Sequence, residues 1–132
     1  MPTRVAISPA AQPPLAHYSP AVVSDAVVYC SGVLGTDPDS GELVAGGTYE
    51  QTRRALRNLE RLLDEAGSTL ANVMRMTCFL STSGSFADFE RAYAELVPTP
   101  PPARATVSVQ LVVPGALIEI EATAAGIEPE ER

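Results

Sequence analysis

Between Thr48 and Gly67, apolar residues recur at intervals of three and four: Tyr49, Thr52, Leu56, Leu59, Leu63 and Ala66. Ala55 and Leu62 widen the stripe. This spacing predicts an amphipathic helix whose apolar face is too broad to be left in water, so the rest of the chain must supply a surface that covers it. Such a surface is legible near the other end. In Leu117–Ala125, Ile118, Ile120, Ala122 and Ala124 alternate with Glu119, Glu121 and Thr123, the period of a strand buried on one side only. One-faced helices and one-faced strands together specify an α+β domain, with helices packed on one side of a sheet.

The remaining elements fit that frame. Thr48 and Gln51 stand at capping-box spacing, and Gly67 sits where a left-handed C-terminal residue is expected. Val73–Leu80 is a strand rich in branched and aromatic residues. A second helix follows, capped by Ser85 with Asp88, its buried stripe formed by Phe86, Phe89, Tyr93 and Leu96. The proline run from Pro98 to Pro102 ends it and forces an extended entry into Ala103–Val109. Upstream, Arg4–Ile7, Ala21–Val23 and Ala26–Ser31 read as short strands, the last two joined by a tight turn at Ser24-Asp25. Residues 32–47 form a turn-rich surface loop. Residues 1–16 read as an extended N-terminal segment and residues 126–132 as a frayed tail. The order is β-β-β-α-β-α-β-β within a single domain spanning 1–132, the size at which one hydrophobic core suffices.

Charge and residue usage narrow the chemistry. The net charge is −7 and every cation is Arg, which excludes a Schiff-base or phosphate-loop lysine. An acidic chain is poorly suited to a phosphate backbone, so no nucleic-acid partner is expected. Arg53, Arg54, Arg57 and Arg61 are interleaved with Glu50, Glu60, Asp64 and Glu65 and read as a solvated ion-pair face. Cys30 and Cys78 lie in apolar runs as buried thiols. His17, the one histidine, has no neighbours at ligand spacing, so no metal is expected. No apolar run reaches membrane-spanning length and no signal-peptide pattern opens the sequence. The expected setting is cytoplasmic, without a membrane partner.

Chemistry is expected on the polar side of the last two strands. If helices cover one sheet face, the other carries Arg104, Thr106, Ser108, Glu119 and Glu121. Arginine is a bidentate receptor for carboxylates, and a nearby carboxylate can orient or deprotonate a water. The plainer alternative is an interface salt bridge between Arg104 and a glutamate. If Pro114-Gly115 closes a simple hairpin, Glu119 lies about five residues from Arg104, or ~17 Å at ~3.4 Å per residue. One small ligand then reaches both only in a site shared between subunits.

Four segments in order resemble the Rid (YjgF) family of small proteins: HYSPAV at 17–22, VYCSGVLGTDPDSGEL at 28–43, PPARATVSV at 101–109 and LIEIEATA at 117–124. The resemblance runs from about Ser8 to Gly126. It implies a chorismate-mutase-like fold and a homotrimer whose sheets meet around a central barrel, with clefts between subunits. It also implies cofactor-free deamination of 2-aminoacrylate and its homologues, with 2-keto acids and ammonia as products. Position by position, Arg104 matches the arginine that grips the substrate carboxylate and Glu119 the glutamate that acts on water. Tyr18 and Ser31 match the cleft tyrosine and serine, with Gly32 in the same loop. Three positions depart from the pattern. Val33 stands where archetypal members have Gln, Thr106 where they have Cys at a substrate-binding position, and Glu90 where they have Asn.

Two other functions fit the same cleft less fully: non-catalytic binding of small carboxylates, and ribonuclease activity, which the acidic composition and single histidine disfavour. Glu90 is expected at the edge of the second helix, paired with an arginine across a subunit interface. The opposing expectation is that it faces the cleft, its charge set against an anionic substrate.

Overall fold

The computed structural model describes residues 4–9 and 13–126. Its elements are β1 (Val5–Ile7), β2 (Ala21–Ser24), β3 (Val27–Leu34), α1 (Gly47–Glu65), β4 (Val73–Ser81), α2 (Phe86–Leu96), β5 (Ala103–Val109) and β6 (Ile118–Ala125). A short 3₁₀ turn, Leu70–Asn72, leads into β4. The order of elements and the α+β class are as the sequence implies. The expected tail beyond Gly126 lies outside the described residues.

The strands form one mixed sheet in the order β1-β2-β3-β6-β4-β5. Only β4 and β5 run parallel, as the α2 crossover between them requires. The core lies between one sheet face and the helices. Leu56, Leu59, Leu62 and Leu63 of α1 and Phe89 of α2 are buried against Val28, Met76, Cys78, Ile118 and Ile120.

Strand β6 is not the hairpin partner of β5. It inserts between β3 and β4, antiparallel to both, and so gains ladder partners on its two edges. That insertion overturns the expected arrangement of the polar residues. Met76 pairs with Arg104 on one side and Ala122 on the other; Cys78 pairs with Thr106 and Ile120. Paired residues share a face, so Arg104, Thr106 and Ser108 lie on the helix-bearing side. Glu119 pairs with Phe79, which pairs with Val107, and this row lies on the opposite face. The face without helices therefore presents Ala105 and Val107, the latter 41% exposed, beside Glu119 and Glu121.

The expected capping box of α1 does not form. Helix α1 starts after Gly46, which has φ +108° and makes no side-chain cap. Tertiary contacts claim both side chains. Thr48 Oγ1 accepts from Ser85 N (3.0 Å), while Gln51 donates to Gly115 O (3.2 Å) and accepts from Leu117 N (2.8 Å). Gln51 thus clamps α1 to the β5–β6 connection. The C-terminal expectation holds: Gly67 follows the helix at φ +83°. In α2, Ser85 Oγ accepts from Asp88 N (3.2 Å) as the spacing predicts. Phe86, placed in the buried stripe by period, is exposed instead and leans on Phe89 at 6.0 Å between centroids; as the first residue of α2 it starts the stripe outside the buried core.

Candidate functional site

The structure divides the candidate residues into two groups. The first surrounds the point where β3 bulges between Cys30 and Val33. The bulge turns Gly32 toward β6, and a side chain there would displace the Glu119 carboxyl: a Cβ on Gly32 would stand 2.6 Å from Glu119 Oε2. The Glu119 carboxyl is laid directly on this bare backbone. Ser31 secures the bulge to the preceding segment. Its hydroxyl donates to Ser19 O (2.7 Å) and its backbone N–H to Pro20 O (2.8 Å). Tyr18, Gly32, Val33 and Glu119 then line one cleft of about 390 Å³, floored by Leu62 and Asn58 of α1. Asn58 is buried and holds the strand-to-loop passage through Nδ2 bonds to Leu34 O and Thr36 O, both 2.9 Å. No sequence motif marks Asn58, since its partners are carbonyls brought close by the fold.

Glu119 is the titratable group this cleft perturbs. Burial raises its carboxyl above the ordinary glutamate range, and the neighbouring negative charge of Glu121 raises it further. Such a group holds a proton more readily than an exposed carboxylate. This is the property required of a residue that must take a proton and later return it.

The second group lies under α2. Arg104 Nη1 donates to Glu90 Oε2 at 2.8 Å. The guanidinium stands over the Tyr93 ring at 4.6 Å and over Phe89 at 5.3 Å, so two aromatic faces and one carboxylate hold it. The pairing differs from the first expectation for Glu90, an arginine across a subunit interface: its arginine partner is Arg104 of the same chain. Residue period placed Phe89 and Tyr93 in the core, and they are buried, yet their faces also carry Arg104. Seeing this in advance requires the parallel β4–β5 pairing, which puts position 104 beneath the crossover helix. Below Arg104, burial pushes the Cys78 thiol and the Tyr93 phenol up to about 12, against the pull of the guanidinium on both. Thr106 Oγ1 is buried here without a hydrogen-bond partner among the described residues.

Arg104 and Glu119 thus occupy opposite faces of the sheet. Their β4 partners, Met76 and Phe79, are three positions apart, roughly 10 Å along the strand. One small ligand on one chain cannot touch both. Among the described residues no group of three or more His, Cys, Asp and Glu side chains is placed to hold a metal ion. No helix among them is long and apolar enough to cross a membrane.

A mixed sheet with two helices on one face and a bulge-lined cleft bearing a perturbed carboxyl defines a recognisable class. Residues 9–126 match the family described as Endoribonuclease L-PSP, and the chain belongs to that family. Human 2-iminobutanoate/2-iminopropanoate deaminase is 39% identical over 107 residues, covering 81% of this chain and 78% of that protein. The 3-aminoacrylate deaminase RutC of Acinetobacter baylyi is 37% identical over 124 residues, covering 94% and 98%. Among solved structures, YyfA of the Rid family from Yersinia pestis superposes with a TM-score of 0.84 at 31% identity, covering 93% of this chain and 99% of that one.

Proposed function

We propose that this chain hydrolyses small 2-imino acids, formed from 2-enamines such as 2-aminoacrylate, to 2-keto acids and ammonia. In this reading it works in the cytoplasm without a cofactor, as a homotrimer. Relatives at 37–40% identity that carry imine or enamine deaminase names support it. The observation that carries it is Glu119, a half-buried carboxyl with a raised proton affinity, laid against Gly32 in the wall of a cleft.

In the proposed reaction the substrate carboxylate docks on Arg104, a geometry lysine does not reproduce. Glu119 takes a proton from a water as its oxygen bonds to the carbon of the protonated imine, whose C=N electron pair moves onto nitrogen to give an amine. It returns that proton to the nitrogen. The C–N bond then breaks, ammonia leaves with the electron pair, and the carbinol oxygen becomes the keto oxygen as its proton is lost. Because Arg104 and Glu119 stand on opposite faces of one sheet, the reading requires each to come from a different protomer. Tyr18 lines the same cleft as a substrate-binding group, Ser31 adjoins it next to Gly32, and Thr106 lies on the Arg104 side of the sheet. The net charge of −7 offers no cationic track for RNA, so deamination rather than RNA cleavage is the activity expected.

The test is ammonia release in an assay coupled to threonine or serine dehydratase. Arg104→Ala is expected to lower kcat/KM at least roughly tenfold, the loss of one or more charge-assisted hydrogen bonds. Glu119→Gln is expected to lower kcat more than it weakens binding, and Glu121→Gln to do neither. No acceleration by the parent protein, or equal losses from both glutamate variants, would refute the assignment.

A further inference from the structure

The Arg104–Glu90 pair raises a question the deaminase reading leaves open: how an arginine already holding a carboxylate accepts another. The other acids of α2 are engaged elsewhere. Asp88 lies 3.8 Å from Arg91, and Glu95 bonds Tyr49 and Arg53. Glu90 is therefore the carboxylate of α2 committed to Arg104, and among the described residues no second cation pairs with it. The contact uses a single guanidinium nitrogen, Nη1. The Nε–Nη2 edge is a separate two-donor fork on the same planar group. The arginine side chain is 22% exposed and the glutamate 44%, so the guanidinium sits inside and the carboxylate stands at its rim.

We infer that Glu90 is a specificity-determining residue that selects the zwitterionic 2-iminium acid and rejects the anionic 2-keto acid at Arg104. The inference rests on the proposed deaminase reading for the identity of these ligands. Charge arithmetic drives it. The pair is neutral. A 2-iminium acid carries a carboxylate and, one carbon away, a protonated C=N, so it too is neutral and its positive end can lie toward Glu90. The product has lost that positive end, and its carboxylate on the same guanidinium leaves two anions facing one cation. Like charges across a partly desolvated group repel well above thermal energy, although exposure of Glu90 screens part of this. Product is thereby released by the same group that admits substrate. A neutral side chain at position 90 would lack this discrimination.

Calorimetric titration with 2-oxobutanoate tests the inference on the intact protein. Glu90→Gln is expected to bind 2-oxobutanoate roughly tenfold more tightly than the parent. Product inhibition in the coupled assay should rise in step, while kcat/KM for the imine changes by a smaller factor. A second measurement needs no variant: the parent should bind neutral 2-oxobutanamide at least as well as 2-oxobutanoate. Equal 2-oxobutanoate affinities in parent and folded Glu90→Gln overturn the inference, as does a parent that prefers the anion to the amide. Absence of binding to any form also overturns it, because Arg104 would then not be an anion receptor. The two readings fail separately. Ammonia release with unaltered 2-oxobutanoate affinity sinks the role of Glu90 alone. Tightened anion binding without ammonia release keeps that role and sinks the deaminase.

Discussion

Glu119 shows how a single side chain acquires chemistry from its surroundings. Strand period alone makes it one of two equivalent outward glutamates, yet only Glu119 lies on Gly32 with its proton affinity raised by burial and by Glu121. This has a stability consequence with a definite sign. A carboxyl that holds its proton more tightly when folded contributes stability below the ordinary glutamate value of about 4.3, and that contribution is lost as pH rises through the raised value. Glu119→Gln removes the titration. The variant is expected to melt at or above the parent temperature near pH 7, and this relative advantage should vanish at about pH 4, where the parent carboxyl is protonated. Thermal melts of both proteins at the two pH values check it, and a variant less stable than the parent at neutral pH would contradict the cause assigned. Cys78 is the counterexample. Burial pushes its thiol up to about 12, which holds it protonated at neutral pH.

At the scale of elements, the β2–β3 hairpin carries the clearest strain. Its turn was expected at Ser24-Asp25 and centres one residue later, on Asp25 and Ala26, with φ of 50° and 60°. A two-residue loop matching strand twist needs positive φ at both central positions, which Asp tolerates and Ala does not. Ala26 nevertheless anchors the C-terminal end of β6, where its carbonyl accepts from Gly126 N at 2.7 Å. Ala26→Gly keeps that carbonyl and relieves the side-chain clash. It is expected to stabilise the fold by about 1 kcal/mol, the left-handed cost of Ala less the extra chain entropy of Gly. Denaturant unfolding measures this, and a destabilised Ala26→Gly would show that the turn is not strained. Helix α1 makes the complementary point. Its extent was legible because a wide apolar stripe ends at a glycine, whereas its N-terminal chemistry was not. Thr48 and Gln51 have ideal local spacing but bond Ser85, Gly115 and Leu117, far along the chain.

For the whole molecule, the decisive fact is that Arg104 and Glu119 face opposite ways. The proposed site is complete only where copies of the chain meet, and the exposed Val107 and Tyr29 are apolar surface available for such a contact. Light scattering is expected to give three times the chain mass of 13.9 kDa. Mixing supplies a sharper test. Arg104→Ala and Glu119→Gln proteins, each impaired alone, should regain part of the deaminase activity when unfolded together and reassembled, because some clefts then combine an intact arginine with an intact glutamate. A monomer, or a mixture with no recovered activity, would rule out the shared cleft.

The sequence by itself determined the α+β class, the order of elements, both helices and the alternation that buries Ile118, Ile120, Ala122 and Ala124. Those properties depend on contacts within a turn of helix or a pair of strand residues, so period and capping residues record them. It also pointed to Arg104, Glu119, Tyr18, Ser31 and Gly32 through a family resemblance. Only the tertiary structure decided which residues share a face. The strand order β3-β6-β4-β5 is set by α2, whose crossover makes β5 parallel to β4 and leaves the central place to β6. A hairpin would have put position 104 opposite the end of β6; the crossover puts it under α2, beside Glu90, Phe89 and Tyr93. Strand pairing between residues distant in the chain fixes side-chain direction, and no local pattern encodes which strand lies next to which.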